Sequence, residues 1–341
     1  MQLKKLEIRC FKDSSESVAK ILSDFGVSSY SYLEVSTEWD SESVCVISAV
    51  LPDEILNDAM GKISELLDLR KTDNQIVVTD VLAYISTKLD RLQEKYQSTK
   101  SENPLEFVIQ PLEQFIRPNL NSVVLIIISI VVAIAGLFLN NEAIVVGSMI
   151  LSPILGPINA VVASASLGRM RKVAYAEANV FLLVGISLLS AYLLTEVLKN
   201  ITSLTITPAI LIRSSVTTFD VIVAVVLGIA SALGLQTKLP ETLVGVAVAA
   251  ALVPPLAVTG IFAALGNFHL AEQSFILAVT YLFGLKVGGM LTLQVTGFSP
   301  RKYWEASKAR KYRIRSLMLF SAVVLILLLV IVFAPLSTIV P

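Results

Sequence analysis

The chain has 341 residues, 55% of them apolar, and a mean hydropathy of +0.74, values that exclude an ordinary soluble domain. Its net charge of zero hides two opposite halves: residues 1–117 carry 13 Lys and Arg against 20 Asp and Glu, and residues 118–341 carry 14 against 7. An acidic soluble part is expected ahead of a basic membrane part, with no nucleic-acid partner.

The opening residues, MQLKKLEIRCFKDSSES, hold no apolar core of a cleavable signal, so the N-terminus is expected to stay in the cytoplasm. LKKLEIRCF alternates with Leu6, Ile8 and Cys10 on one face, and ESVAKILSDFG has helical spacing with a Gly stop. YSYLEVS and SVCVISAVL read as strands, and DEILNDAMGKISELLDL and QIVVTDV as a helix and a strand. The order βαββαβ over residues 1–80 predicts a small ferredoxin-like α+β domain. In that topology Cys10 and Cys45 fall on neighbouring strands, where two small core residues are a simpler reading than a redox pair. Residues 81–117 read as a charged helix, then NPLEFVIQPLEQFIRP, a helix suited to the membrane surface.

Seven apolar segments follow in the membrane domain 118–341, at about 120–139, 142–168, 174–197, 220–237, 241–266, 273–295 and 317–339, most near the ~20 residues a bilayer needs. The basic stretches RMRK at 169–172 and RKYWEASKARKYRIR at 301–315 are four spans apart, so both face the cytoplasm under the positive-inside rule. This predicts a multi-pass protein of the cell membrane, inner or plasma, with its N-terminus inside and its C-terminus outside.

The second segment breaks its own helix, because Pro153, Gly156 and Pro157 stand in the middle of EAIVVGSMILSPILGPINAVVASASLG. The fifth, ETLVGVAVAAALVPPLAVTGIFAALG, carries Pro254 and Pro255. Glu142 opens the first of these and Glu241 the second, each read as a gating or interfacial carboxylate. Spans one to three and four to six then run in opposite senses, an inverted repeat over 118–198 and 219–296, with 317–339 as an extra span. Paired discontinuous helices in inverted repeats are the architecture of many secondary transporters. A single proline is more simply a kink repaired by its neighbours; two symmetric breaks predict a site. Its expected lining is Ser148, Ser152, Pro153, Gly156, Pro157, Asn159, Pro254, Pro255, Thr259, Gly260 and Lys286.

Lys286, in YLFGLKVGGMLT, lies well inside the sixth span, where a lysine costs ~2.5–3.5 kcal/mol on insertion scales and needs an interior partner or cavity. Snorkelling toward Gln294 is the competing reading. Facing the broken helices, Lys286 would favour an anionic substrate or a carboxylate partner.

The stretches VGSMILSPILGPI at 146–158 and VAVAAALVPPLAVTGI at 246–261 resemble the prokaryotic "uncharacterised hydrophobic domain" membrane proteins, domain of unknown function 389. The resemblance covers nearly the whole chain and implies a membrane core of unassigned activity, with no functional residues to carry over.

Catalysis is not expected. His269 is the only histidine, and HExxH, GxSxG and GxxxxGK[ST] are missing, so no catalytic residue, metal site or cofactor is assigned. The expected function is secondary transport of an ion or small solute, with membrane lipid and further copies of the chain as partners. A gated channel, or a sensor or scaffold whose soluble domain binds a regulatory ligand, are the alternatives.

Overall fold

The computed structural model describes residues 3–27, 29–35, 44–68, 71, 74–81, 109, 111–236, 241–298 and 303–333. The expected charged helix at 82–100, residues 104–108 and 110 of the interfacial stretch, and the end of the last span lie outside the described residues. Contacts divide the chain into two compact units, Met1–Pro104 and Leu105–Pro341.

The first unit follows the order read from the sequence: β1 (Leu3–Phe11), α1 (Lys12–Asp24), β2 (Tyr30–Val35), β3 (Val44–Pro52), α2 (Asp53–Leu66) and β4 (Gln75–Val81). The strands form one antiparallel sheet in the order β2-β3-β1-β4. Period-two alternation puts Leu6, Ile8 and Cys10 of β1 opposite Ala49, Ile47 and Cys45 of β3, all buried. Val18 and Leu22 of α1, with Ile55, Leu56, Ala59 and Ile63 of α2, complete this core. Cys10 and Cys45 are therefore cross-strand neighbours with free thiols, and the Tyr32 hydroxyl stands 2.8 Å from the Cys45 sulfur.

The second unit is helical: α3 (Leu120–Phe138), α4 (Glu142–Leu151), α5 (Leu155–Ser166), α6 (Met170–Ile201), α7 (Thr218–Gln236), α8 (Glu241–Ala264), α9 (Phe268–Val295) and α10 (Tyr303–Phe333), with a one-turn helix Pro208–Leu211 before α7. Five of these helices are long and apolar enough to cross a membrane, and six spans result when the bent pair α4–α5 counts as one. The chain is a membrane protein with several spanning helices. Asn119, Asn141 and Asn267 cap α3, α4 and α9 by accepting backbone N–H bonds in the first turn. Asn140, at φ 48°, turns the chain between α3 and α4, a left-handed conformation asparagine tolerates better than other side chains.

The membrane unit is built around α9, whose apolar window is 72% buried, whereas that of α10 is 6% buried. Glycines set the closest contact. A Cβ on Gly228 of α7 would collide with the carbonyl of Leu285, one on Gly284 of α9 with the Cβ of Ala224, and one on Gly288 with the carbonyl of Val225. Small residues let the two backbones touch, the usual means of holding helices together in lipid, where hydrophobic burial gives no net gain.

The two proline sites differ. Between α4 and α5 the chain bends by 50°, and Ser152 is extended at φ −77°, ψ 122°. A residue before proline is pushed toward that conformation, so Pro153 stops α4, and Pro157 falls in the first turn of α5, where a missing N–H costs nothing. The expected second break is corrected by the structure: α8 continues as helix through Pro254 and Pro255. Proline's fixed φ is itself helical, and each ring removes only one donor. Here tight packing retains the helix, since Val253, Leu256, Ala257 and Val258 are all buried. Among the described residues there is one broken span where the symmetry argument called for two.

Candidate functional site

The break is lined by backbone and hydroxyl groups. Ser129 of α3 donates to the carbonyl of Ser148 at 2.8 Å, and the Ser148 hydroxyl donates to the carbonyl of Val145 at 2.6 Å. The Ser152 hydroxyl oxygen is buried without a hydrogen-bond partner. Pro153 is half-buried and Pro157 buried. Gly156 lies flat against the Phe115 ring, 2.6 Å from where its Cβ would be, so no larger residue fits while that ring stays. One helical turn on, Asn159 accepts from the Ser231 hydroxyl at 2.8 Å, fastening α5 to α7.

The continuous α8 also meets this region. Val253 and Ala257 share a buried cluster with Val145 and Met149 of α4, and Leu252 and Leu256 share another with Ile154 and Ile158. Thr259, half-buried, bonds back to the carbonyl of Pro255 at 2.8 Å. Gly260 packs against Ala191 and Tyr192 of α6, on a different neighbour from the break. Glu241 begins α8, and its side chain lies outside the described residues.

The strongest chemistry is on α9. Lys286 is fully buried, and its ammonium stands 2.8 and 2.7 Å from the two carboxylate oxygens of Glu177 on α6. Three phenyl rings complete the surroundings, with the ammonium 4.7 Å from the centroid of Phe283, 5.4 Å from Phe320 and 5.7 Å from Phe181. Phe283 and Phe320 meet edge to face at 6.0 Å, so α10 supplies one wall. Lys286 does not snorkel; it has the carboxylate partner that an interior lysine needs. Glu177 is seven residues from the start of α6, about 10 Å at helical rise, and is the fourth residue of the apolar segment 174–197.

Glu177 was hidden in the sequence because a carboxylate two turns after RMRK looks interfacial; the signal was the partner that Lys286 requires. Asn179, next along α6, was also missed. It donates to the carbonyls of Phe115 at 2.8 Å and Arg117 at 3.4 Å, and thereby holds the ring that covers Gly156. At the other end of α4, Glu142 is exposed and paired with Arg213 at 3.2 and 2.8 Å.

Comparison with known proteins gives a consistent result. The family model described as "Domain of unknown function (DUF389)" matches residues 149–287. Over that stretch the chain is similar to DUF389 proteins. That domain takes in the break, the double proline and Lys286, a narrower stretch than the nearly whole-chain resemblance expected from the motifs. A relative, "Uncharacterized protein MJ0678" of Methanocaldococcus jannaschii, is 26% identical over 216 residues, which are 62% of this chain and 65% of that protein. The chain thus spans just under two thirds of this relative's length. No solved structure matches the chain.

Proposed function

We propose that this DUF389 protein is a secondary-type transporter that passes an ion or small solute of anionic character through a site beside its broken span. The observation that carries the reading is the extended step at Ser152 and Pro153 within an apolar span. Irregular backbone at membrane depth survives only where protein or a water-filled cavity satisfies it, and in transporters such steps hold substrate. The buried Glu177–Lys286 pair supports it, because intramembrane charges are expensive and mark substrate or ion pathways.

In this reading the spans number seven, with α8 and the α4–α5 pair each counted once, and the inverted repeat is kept as an order of spans without a second break. The N-terminal unit is ferredoxin-like, an assignment supported by its strand order, and faces the cytoplasm with residues 301–315. The protein is a homo-oligomer in the cell membrane and performs no enzymatic chemistry. A cysteine at Ser307 that reacted only from the outer side would overturn this topology.

The full chain, reconstituted in proteoliposomes, is expected to show saturable uptake of a small monoanion such as nitrate. Unitary currents in a planar bilayer would make it a channel instead, and neither flux nor current would leave the sensor or scaffold reading.

A further inference from the structure

A cleft opens where the segment 111–117 lies against the end of α5 and the start of α6. Leu112, Ile116, Ala163 and Leu167, all buried, make its apolar wall, and Arg169, Lys172 and Glu113 make a rim that reaches water. The enclosed volume is about 10 Å³, room for about one water, so a larger ligand engages the charged rim and not the interior.

The rim carries more positive charge than its own carboxylate offsets. Glu113 is the one acidic group among the described residues of the cleft, and a single oxygen of it serves both cations: it accepts from the Lys172 ammonium and lies 3.9 Å from the Arg169 guanidinium. Arg171 is exposed beside them, and Arg117 is turned onto the Tyr175 ring, 5.8 Å from its centroid. The first turn of α6 holds no acidic residue, so Arg169, Arg171 and Lys172 add to the positive end of its dipole. The Glu113 side chain is 48% exposed, and an ion pair so open to water is weak enough for another anion to replace it.

Depth selects the anion. Residues 169–172 stand just before the apolar segment 174–197, the level at which lipid phosphates meet the ends of spanning helices. Sorting of basic residues to one side of the membrane accounts for cations here, but not for two of them converging on one oxygen at the mouth of a cleft. We propose that Arg169 and Lys172 bind the phosphate of an anionic phospholipid, which takes the place of Glu113 while its tails stay in the bilayer. Glu113 then turns into water, and no other bond of the chain changes. This site goes beyond the transport reading and does not depend on it.

The test is thermal unfolding of the purified, delipidated full chain in detergent, titrated with dioleoyl phosphatidylglycerol, dioleoyl phosphatidylcholine or inorganic phosphate. Phosphatidylglycerol is expected to raise the unfolding temperature saturably, and the other two are not. Arg169→Gln combined with Lys172→Gln should raise the half-saturating concentration at least ~10-fold, for two cations lost at the membrane surface. Glu113→Gln should lower it by about 3-fold, because the competitor for both cations is gone, whereas loss of a residue that only braced the cleft would raise it. Arg310→Gln combined with Lys311→Gln, at two exposed cations of α10, should leave it unchanged and so separates this site from general attraction of basic loops to acidic lipid. No response to phosphatidylglycerol, an equal response to phosphatidylcholine or inorganic phosphate, an equal loss in the α10 variant, or weaker or unchanged binding after Glu113→Gln would each overturn the proposal. Should the double variant at 169 and 172 fail to fold, the sign of the Glu113→Gln change decides.

Discussion

Arg213 reaches back to the first residue of α4 and holds both carboxylate oxygens of Glu142, at 3.2 and 2.8 Å, while donating a further bond to the carbonyl of Ala209 at 2.7 Å. The loop before α7 is so pinned over the start of the broken span. Thr207 and Ser274 reinforce it, donating to the carbonyls of Leu137 at 2.6 Å and Arg213 at 2.8 Å.

The two ends of this pair should respond unequally. Glu142 is mostly exposed, so Glu142→Gln is expected to cost no more than ~1 kcal/mol and to matter less at high salt. Arg213→Ala also strands the carbonyl of Ala209, and should cost ~1–3 kcal/mol. Denaturant or thermal unfolding of the two variants side by side checks the order.

The buried pair on α6 and α9 should show a steeper asymmetry. Removing one partner of a buried ion pair costs ~3–5 kcal/mol. Glu177→Gln leaves a sealed ammonium and belongs at the upper end. Lys286→Met leaves a carboxylate with access to the exterior and should be milder. The double variant should recover much of the loss, and a double-mutant cycle on unfolding free energy measures it.

The glycine seam gives a position-specific expectation. Gly288→Ala places a Cβ on backbone atoms of Val225 and Ile229 that cannot turn aside, and should destabilise by ~1–3 kcal/mol or part α7 from α9. Gly185→Ala, with open space around it on α6, should be neutral or stabilising by up to ~1 kcal/mol. Unfolding temperatures of the pair distinguish packing from helix propensity.

The proline sites should separate by hydrogen exchange. Amides of Ile154, Leu155 and Gly156, at the break and in the first turn after it, are expected to exchange faster than those of Leu256, Ala257 and Val258 inside α8. Replacing both Pro254 and Pro255 by Ala should leave the fold intact with an equal or higher unfolding temperature. An interior proline disfavours helix by ~3 kcal/mol, an upper bound here because the variant also loses packed rings.

In the N-terminal unit, burial first and the neighbouring Cys45 second push the Cys10 thiol up to about 11 from 9.0. The unfolded thiol ionises first as pH rises, so this contribution to stability is complete below pH 9 and is lost as pH climbs toward about 11. Native protein near neutral pH should resist alkylation at Cys10 and react once unfolded, as mass spectrometry after iodoacetamide treatment would show.

How much of this was legible depended on the range of the interaction. The sheet could be read because alternation at Leu6, Ile8 and Cys10 is a local signal, and the break at Pro153 because proline acts on the residue before it. Pro254 and Pro255 carry the same letters with a different outcome, since what holds α8 straight is packing of Val253 and Ala257 against α4, residues about a hundred positions away. Lys286 announced that it needed a partner, but nothing local pointed to Glu177, a carboxylate shortly after the basic RMRK stretch. Gly156 was legible as part of the break and of the expected lining, but the Phe115 ring that covers it was not, because it comes from a residue about forty positions away.

The seam at Gly228, Gly284 and Gly288 has a mechanical consequence. Two helices in backbone contact have no layer of side chains to slide or repack between them, so α7 and α9 tilt and translate as a single strut that carries Lys286 with it. Displacement within this unit then meets the extended peptide at Ser152, and a hydroxyl bond from Ser231 ties the strut to Asn159 on the far side of that joint.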